Sequence, residues 1–283
     1  VVIFMTEIIL DTIIDCLKIV PFLFIVFLVM EYLEHNISKK SINITKSSGK
    51  YGPIIGSILG VIPQCGFSVA ASNLYATKII TNGTLIAIFL STSDEMIPVL
   101  LSENIAIKKI MLILSIKIVV GIIIGLLVDI IFKEENNSEN TIDKLCEETH
   151  CDCDHKPILS SIKHTISITG FIFIFSLILN IIVEYYGHTY IEKVLSYNNV
   201  IGPLISSLVG LIPNCASSVI ISEMYAKGIV NISSLIAGLL TNSGLGILIL
   251  FKTNKNIKDN LLILSIIYVV GVLVGVLSSF LLA

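Results

Sequence analysis

The stretch Gly52-Pro53-Ile54-Ile55-Gly56-Ser57-Ile58-Leu59-Gly60-Val61-Ile62-Pro63-Gln64-Cys65 recurs later in the chain as Gly202-Pro203-Leu204-Ile205-Ser206-Ser207-Leu208-Val209-Gly210-Leu211-Ile212-Pro213-Asn214-Cys215. The correspondence continues without a gap. Ser68-Val69 meets Ser218-Val219, Tyr75-Ala76 meets Tyr225-Ala226, and Leu85-Ile86-Ala87 meets Leu235-Ile236-Ala237. Gly121 and Gly125 meet Gly271 and Gly275, and with a small register shift Glu31 and His35 meet Glu184 and His188. Shared apolar bias does not align proline, cysteine and glycine at fixed positions, so the chain reads as a duplication. It divides into a first transmembrane repeat over 1–131, a polar linker over 132–163 and a second transmembrane repeat over 164–283.

Composition fixes the class. Of 283 residues, 54% are hydrophobic and 14% charged, where a soluble domain carries about 25% charge. Apolar runs at 8–33, 84–101, 110–132, 166–185, 234–251 and 261–283 reach or approach the roughly 20 residues that cross a bilayer as helix. The expected protein is an all-α integral membrane protein with the lipid bilayer as its first partner. The net charge is −3 and there is no Arg or Trp, so no nucleic-acid footprint is visible. No phosphate-binding loop of the Gly-x-x-x-x-Gly-Lys-[Ser/Thr] type occurs, which speaks against ATP-driven pumping by this chain. Neither an enzyme activity nor a required cofactor is expected. Abundant Ile, Lys and Asn suggest an AT-rich prokaryotic genome and hence a plasma (inner) membrane location. Association into a homo-oligomer is left open.

Within each repeat one segment is odd. Residues 52–77 are apolar but interrupted at Pro63-Gln64-Cys65-Gly66, and each arm of about 11 residues spans only roughly 16 Å. A re-entrant helical hairpin with its tip near the midplane is the economical reading, with 202–227 as its twin; a single helix kinked at Pro63 is the alternative. Each half then has three spanning helices plus the hairpin, and an odd number of crossings inverts one half against the other. This arrangement places loops 34–50, 132–163 and 252–258 together with Lys78 on one side. Only Lys108, Lys109, Lys193 and Lys227 lie opposite, as the positive-inside rule prefers.

Four groups of residues carry candidate chemistry. The hairpin tips offer freed backbone groups with Gln64, Cys65, Asn214 and Cys215, a carboxamide and a thiol in each half. Ser91-Thr92-Ser93-Asp94-Glu95 is expected deep in a helix, where ionised carboxylates normally mark a pathway or a partner. Lys117 falls at the same depth as Asp94 in an antiparallel helix pair and is its expected charge partner. In the second half Asp94, Glu95 and Lys117 become Gly244, Leu245 and Ile267. Glu223 takes the place of Asn73 on the second hairpin arm, and Thr241-Asn242-Ser243 answers Ser91-Thr92-Ser93 with neutral oxygens. Together these suit a divalent transition metal. The linker adds Cys146, His150, Cys151, Cys153 and His155 among acids, a composition that suits soft metals, as a sensor or a collecting tether, with a solvated acidic linker as the alternative.

The doubled Gly-x-Ile-Pro-x-Cys-x-x-Ser-Val at 60–69 and 210–219, Leu74-Tyr75, the Ser-x-Ser-Asp-Glu at 91–95 and the ligand-rich central loop resemble a family of ten-helix heavy-metal exporters. Its members are labelled arsenic efflux proteins or manganese transporters. The resemblance covers nearly the whole chain. It implies a secondary transporter exporting a heavy-metal or metalloid ion, with each hairpin arm counted as a helix. The rival reading is a permease for a small anion or organic metabolite, held at the hairpin helix N-termini.

Overall fold

The computed structural model describes residues 51–62, 65–93, 96–132 and 201–281, with individual helical positions between 9 and 28 and between 162 and 178. Every regular element among them is a helix. The first half contributes α1 (Gly52–Gly60), α2 (Cys65–Ala76), α3 (Asn82–Ser91), α4 (Met96–Ser102) and α5 (Ile107–Ile131). The second contributes α6 (Ile201–Gly210), α7 (Cys215–Ala226), α8 (Ile232–Thr241), α9 (Gly246–Thr253) and α10 (Ile257–Leu281). The same succession of five helices thus appears twice.

Among the described residues, four segments are long and apolar enough to cross a membrane: Asn82–Ser102, Ile107–Ile131, Ile232–Thr253 and Ile257–Leu281. The two expected spans at 8–33 and 166–185 lie mostly outside the described residues. α5 and α10 are peripheral. On α5, Met111, Val119, Ile123, Leu127 and Ile130 form an exposed apolar stripe, while Ile113, Lys117, Gly121, Gly125 and Val128 turn inward. α3 and α8 form the centre, and every residue from Gly83 to Ser91 and from Ser233 to Thr241 is buried.

Lipid tails are as apolar as leucine, so helices in a bilayer associate through close packing rather than hydrophobic transfer, and small residues at the contacts allow it. A β-carbon placed on Gly125 would lie 2.8 Å from Pro53 Cβ and 2.9 Å from Ala87 Cβ. One placed on Gly275 would lie 3.1 Å from Pro203 Cβ and 2.5 Å from Ala237 Cβ. The α1–α3–α5 and α6–α8–α10 triads are therefore packed through equivalent residues. The second arms leave these triads and cross over: α2 packs on α9, and α7 packs on α4. At the first crossing Ser72 Oγ donates to the Gly246 carbonyl at 2.7 Å.

The sequence led us to expect continuous helix through Ser91–Glu95 and through its twin. The structure breaks both. α3 ends at Ser91, with Thr92 at ψ 127°, and α8 ends at Thr241, with Asn242 at ψ 107°. The chain resumes helix at Met96 and Gly246, where Met96 N donates to Ser93 O at 3.0 Å and Gly246 N to Ser243 O at 3.1 Å. Gly244 takes φ +55° in the second break, the left-handed region that glycine enters without steric cost.

Gly83 is the tightest point of the α3–α5 contact, since a β-carbon there would sit 2.1 Å from the Gly125 carbonyl oxygen. Gly83→Val is expected to cost about 1–3 kcal/mol or more through overpacking and to abolish the monodisperse peak in fluorescence size-exclusion chromatography. Ile123→Val, on the exposed stripe, should leave that peak unchanged.

Candidate functional site

Each break exposes backbone that lipid cannot satisfy, and short polar side chains take it up. In the first half Thr92 N and Thr92 Oγ1 both donate to the Ile88 carbonyl, at 2.9 and 2.7 Å. Ser91 Oγ donates to the same oxygen at 3.0 Å. Ser93 Oγ reaches the Val61 carbonyl just past the end of α1, which ties the α3 break to the α1–α2 break. In the second half Thr241 Oγ1 donates to the Ser207 carbonyl of α6 at 2.9 Å, and Asn242 Oδ1 accepts from Gly244 N at 2.9 Å. Asn214 is the N-cap of α7, and its Oδ1 accepts from Ala216 N.

The helix breaks, the end of α1 and the adjoining turn of α6 are therefore joined by direct hydrogen bonds within each half. Ser91, Thr92, Ser93, Asn214, Thr241, Asn242 and Ser243 are all at most 5% exposed. Ser243 Oγ, Ser222 Oγ and Asn73 Nδ2 are buried with no hydrogen-bond partner. A buried polar group left unpaired costs about 1–3 kcal/mol, so these three carry an unmet demand for a bond.

Lys117 is 1% exposed, and its Nζ donates to the Leu239 carbonyl of α8. That carbonyl lies within the last four residues of α8, where helical partners run out. The contact described thus goes to the opposite repeat. Its expected partners, Asp94 and Glu95, lie outside the described residues, as do Gln64, Cys146, His150, Cys151, Cys153 and His155 and the side chains of Cys65 and Cys215. Glu223 is placed apart from the buried groups: it is half-exposed and pairs with Lys227 Nζ at 3.5 Å. Among the described residues no three His, Cys, Asp or Glu side chains gather as a metal cluster. The described donor set is hydroxyl, carboxamide and carbonyl.

Asp129 escaped the sequence reading. It lies on α5 and closes the N-terminus of α3, accepting from Gly83 N and from Thr81 Oγ1, each at 2.8 Å. Thr81 in turn caps Thr84 N at 3.1 Å. A carboxylate at the positive end of a helix is favourable. The available signal was the single acid in a helix of 25 residues whose other charges are Lys108, Lys109 and Lys117.

Paired discontinuous helices in a bundle of membrane-length helices, with buried uncharged oxygens at the breaks, are a plan that recurs among membrane transporters. The chain belongs to the family described as "Putative, 10TM heavy-metal exporter", whose model matches residues 5–186 and 156–281. No curated protein and no solved structure matches.

Asp129→Ala is expected to lower the melting temperature in detergent, through loss of a helix-end cap worth about 0.5–2 kcal/mol. Asp129→Asn, which keeps an acceptor, should lower it less. Equal losses would show that charge rather than hydrogen bonding holds the α3 terminus.

Proposed function

We propose that the protein is a secondary transporter that exports a heavy-metal or metalloid ion, built from two repeats in inverted topology with re-entrant hairpins α1–α2 and α6–α7. The observation that carries this reading is the pair of equivalent helix breaks, after Ser91 and after Thr241, each hydrogen-bonded to its own repeat's first hairpin arm. Non-helical backbone at membrane depth is tolerated where it is enclosed by protein or lines a solute path. The reciprocal packing of α2 on α9 and α7 on α4 supports a two-fold relation between the halves. Lysine placement supports an axis in the membrane plane, because three crossings per half leave most of the loop lysines on one face.

The ion would be held by carbonyls and hydroxyls at the breaks, with Asp94 and Glu95 supplying negative charge and the Cys65 and Cys215 thiols lying close by. A divalent transition metal such as manganese, or an arsenic species, fits such a mixed set. The linker residues Cys146, His150, Cys151, Cys153 and His155 would collect or sense the metal. The anion reading is weakened at one of its two proposed sites, since Asn214 already fills the N-terminus of α7.

The test is whole-cell elemental analysis across Mn, Fe, Co, Ni, Zn, Cd and As. Cells expressing the wild type should lose one element relative to cells expressing Asp94→Asn/Glu95→Gln. If the double variant exports as well as the wild type, the acidic pair is not in the path. If no element moves in either strain, metal export is the wrong function.

A further inference from the structure

Serines at equivalent positions of the two repeats differ in whether they are bonded. In the first half Ser57 Oγ donates to Ile118 O at 2.9 Å, and Ser93 Oγ donates to Val61 O. Ser72 Oγ lies 2.7 Å from Gly246 O, closer than its second acceptor, Ser68 O, at 2.9 Å. The counterparts Ser207, Ser243 and Ser222 are at most 1% exposed, and among the described residues their hydroxyls have no hydrogen-bond partner. The equivalent acceptors are the carbonyls of Tyr268, Leu211 and Met96. A folded protein leaves few buried hydroxyls unpaired, and each such group calls for a reason.

The pattern has an order. In the first half the break is docked: Ser93 holds Val61 at the end of α1, and Ser222 of α7 does not reach Met96 at the start of α4. In the second half Ser243 is unbonded at the equivalent point, and Gly246 at the start of α9 is held by Ser72 of α2. The second break stays tied to α6 two residues earlier, through Thr241 Oγ1 and Ser207 O. Ser93 and Met96 share one turn, since Met96 N donates to Ser93 O, and Ser243 and Gly246 share another in the same way.

We infer that this structure is one of two states related by exchange of these serine bonds between the repeats. In the other state Ser243 docks on Leu211 O, Ser207 bonds Tyr268 O and Ser222 takes Met96 O, while Ser93, Ser57 and Ser72 release their carbonyls. The exchange is concerted because one turn carries both contacts. Docking Ser243 draws Gly246 away from Ser72, and undocking Ser93 frees Met96 for Ser222. These serines make the same number of bonds in either state, so a solute that prefers one state shifts the balance by its differential affinity. The exchange rests on these contacts alone; its use in moving a solute rests on the export reading given above.

The experiment follows amide hydrogen exchange of the purified full chain in detergent, read by mass spectrometry in the peptides that contain Met96 and Gly246. Ser93→Ala and Ser72→Ala each remove a bond of the present state. Each should speed exchange at Met96 several-fold and slow it at Gly246, where the turn becomes docked. Ser243→Ala removes a bond of the other state only. Alone it should leave both peptides as in the wild type, and added to either variant it should cancel the slowing at Gly246. Unchanged or faster exchange at Gly246 in Ser93→Ala, or slowing that survives the addition of Ser243→Ala, overturns the exchange. Ser72→Ala, with and without Ser243→Ala, decides by the same criterion if Ser93→Ala does not fold. In cells challenged with the metal panel above, Ser243→Ala should export several-fold more slowly the element that the wild type exports, at an equal amount of folded protein. Export at the wild-type rate overturns the use of the exchange in transport. If wild-type cells lose no element, the export reading fails, and the amide result still decides the exchange.

Discussion

Hydrocarbon offers no hydrogen bond, and this one constraint accounts for most of what is unusual in the molecule. A helix that stops inside the bilayer leaves up to four carbonyls or four amides without partners. The chain stops helices in the interior of each half, and side chains of minimal length bond to the backbone at and beside the breaks. Thr92 folds back on Ile88, Ser93 reaches Val61, Thr241 reaches Ser207, Asn242 closes on Gly244 and Asn214 closes on Ala216. Serine, threonine and asparagine lose little rotamer freedom in doing so and bring no charge to be desolvated. The polar centre of the protein is therefore first a repair of its own backbone. Among the described residues a few buried groups, such as Ser243 Oγ and Asn73 Nδ2, are left without a hydrogen bond.

The breaks also shape the architecture. Because α1 ends at Gly60 and α2 starts afresh at Cys65, the first arm stays in its own triad while the second reaches α9 of the other half. The glycines at 121, 125, 271 and 275 hold each triad at distances no larger residue would allow, and Gly246 lets α2 approach α9 until a β-carbon would meet Ser68 at 2.8 Å. Contacts of this kind are stiff, since close-packed interfaces do not deform continuously. The two halves meet both through the crossing arms, which are short helices, and through the triads, where α3 packs on α8 and on α10.

The duplication was legible because proline, cysteine and glycine have conformational and packing roles that shared hydrophobicity cannot imitate. The spans were legible because hydropathy reads them directly, and TM-length helices at 107–131 and 257–281 follow the expected runs. The helix breaks at Thr92 and Asn242 were not. Ser-Thr-Ser and Thr-Asn-Ser carry no proline, and in a membrane helix such residues equally well bond back one turn and leave it intact. What decides between those outcomes is the partner on α1 or α6, and that lies some 30 residues away in sequence. Asp129 was hidden for the same reason: its role depends on Gly83, which hydropathy places in a different helix. Lys117 was legible as a buried charge in an apolar helix; its contact with the Leu239 carbonyl was not, because that contact lies across the repeat boundary.

A duplicated transporter with identical halves would present the same chemistry to both sides of the membrane. This chain has kept the residues that set geometry and changed those that carry charge. Pro53 and Pro203, Ala87 and Ala237, and Gly125 and Gly275 are unchanged and pack alike. Asp129 has become Ser279, which bonds within its own helix at 2.7 Å to Val276, while the N-terminus of α8 is capped instead by Asn231. Each half thus solves the same structural problem, in one case with an ionised group and in the other with a neutral one. Asp94, Glu95, Lys117 and Asp129 of the first repeat have neutral counterparts in the second, while Glu223, Lys227, Lys252 and Lys255 of the second stand where the first has Asn73, Thr77, Ser102 and Ile105. Divergence of this kind leaves the packing two-fold and makes the electrostatics of the two halves unlike.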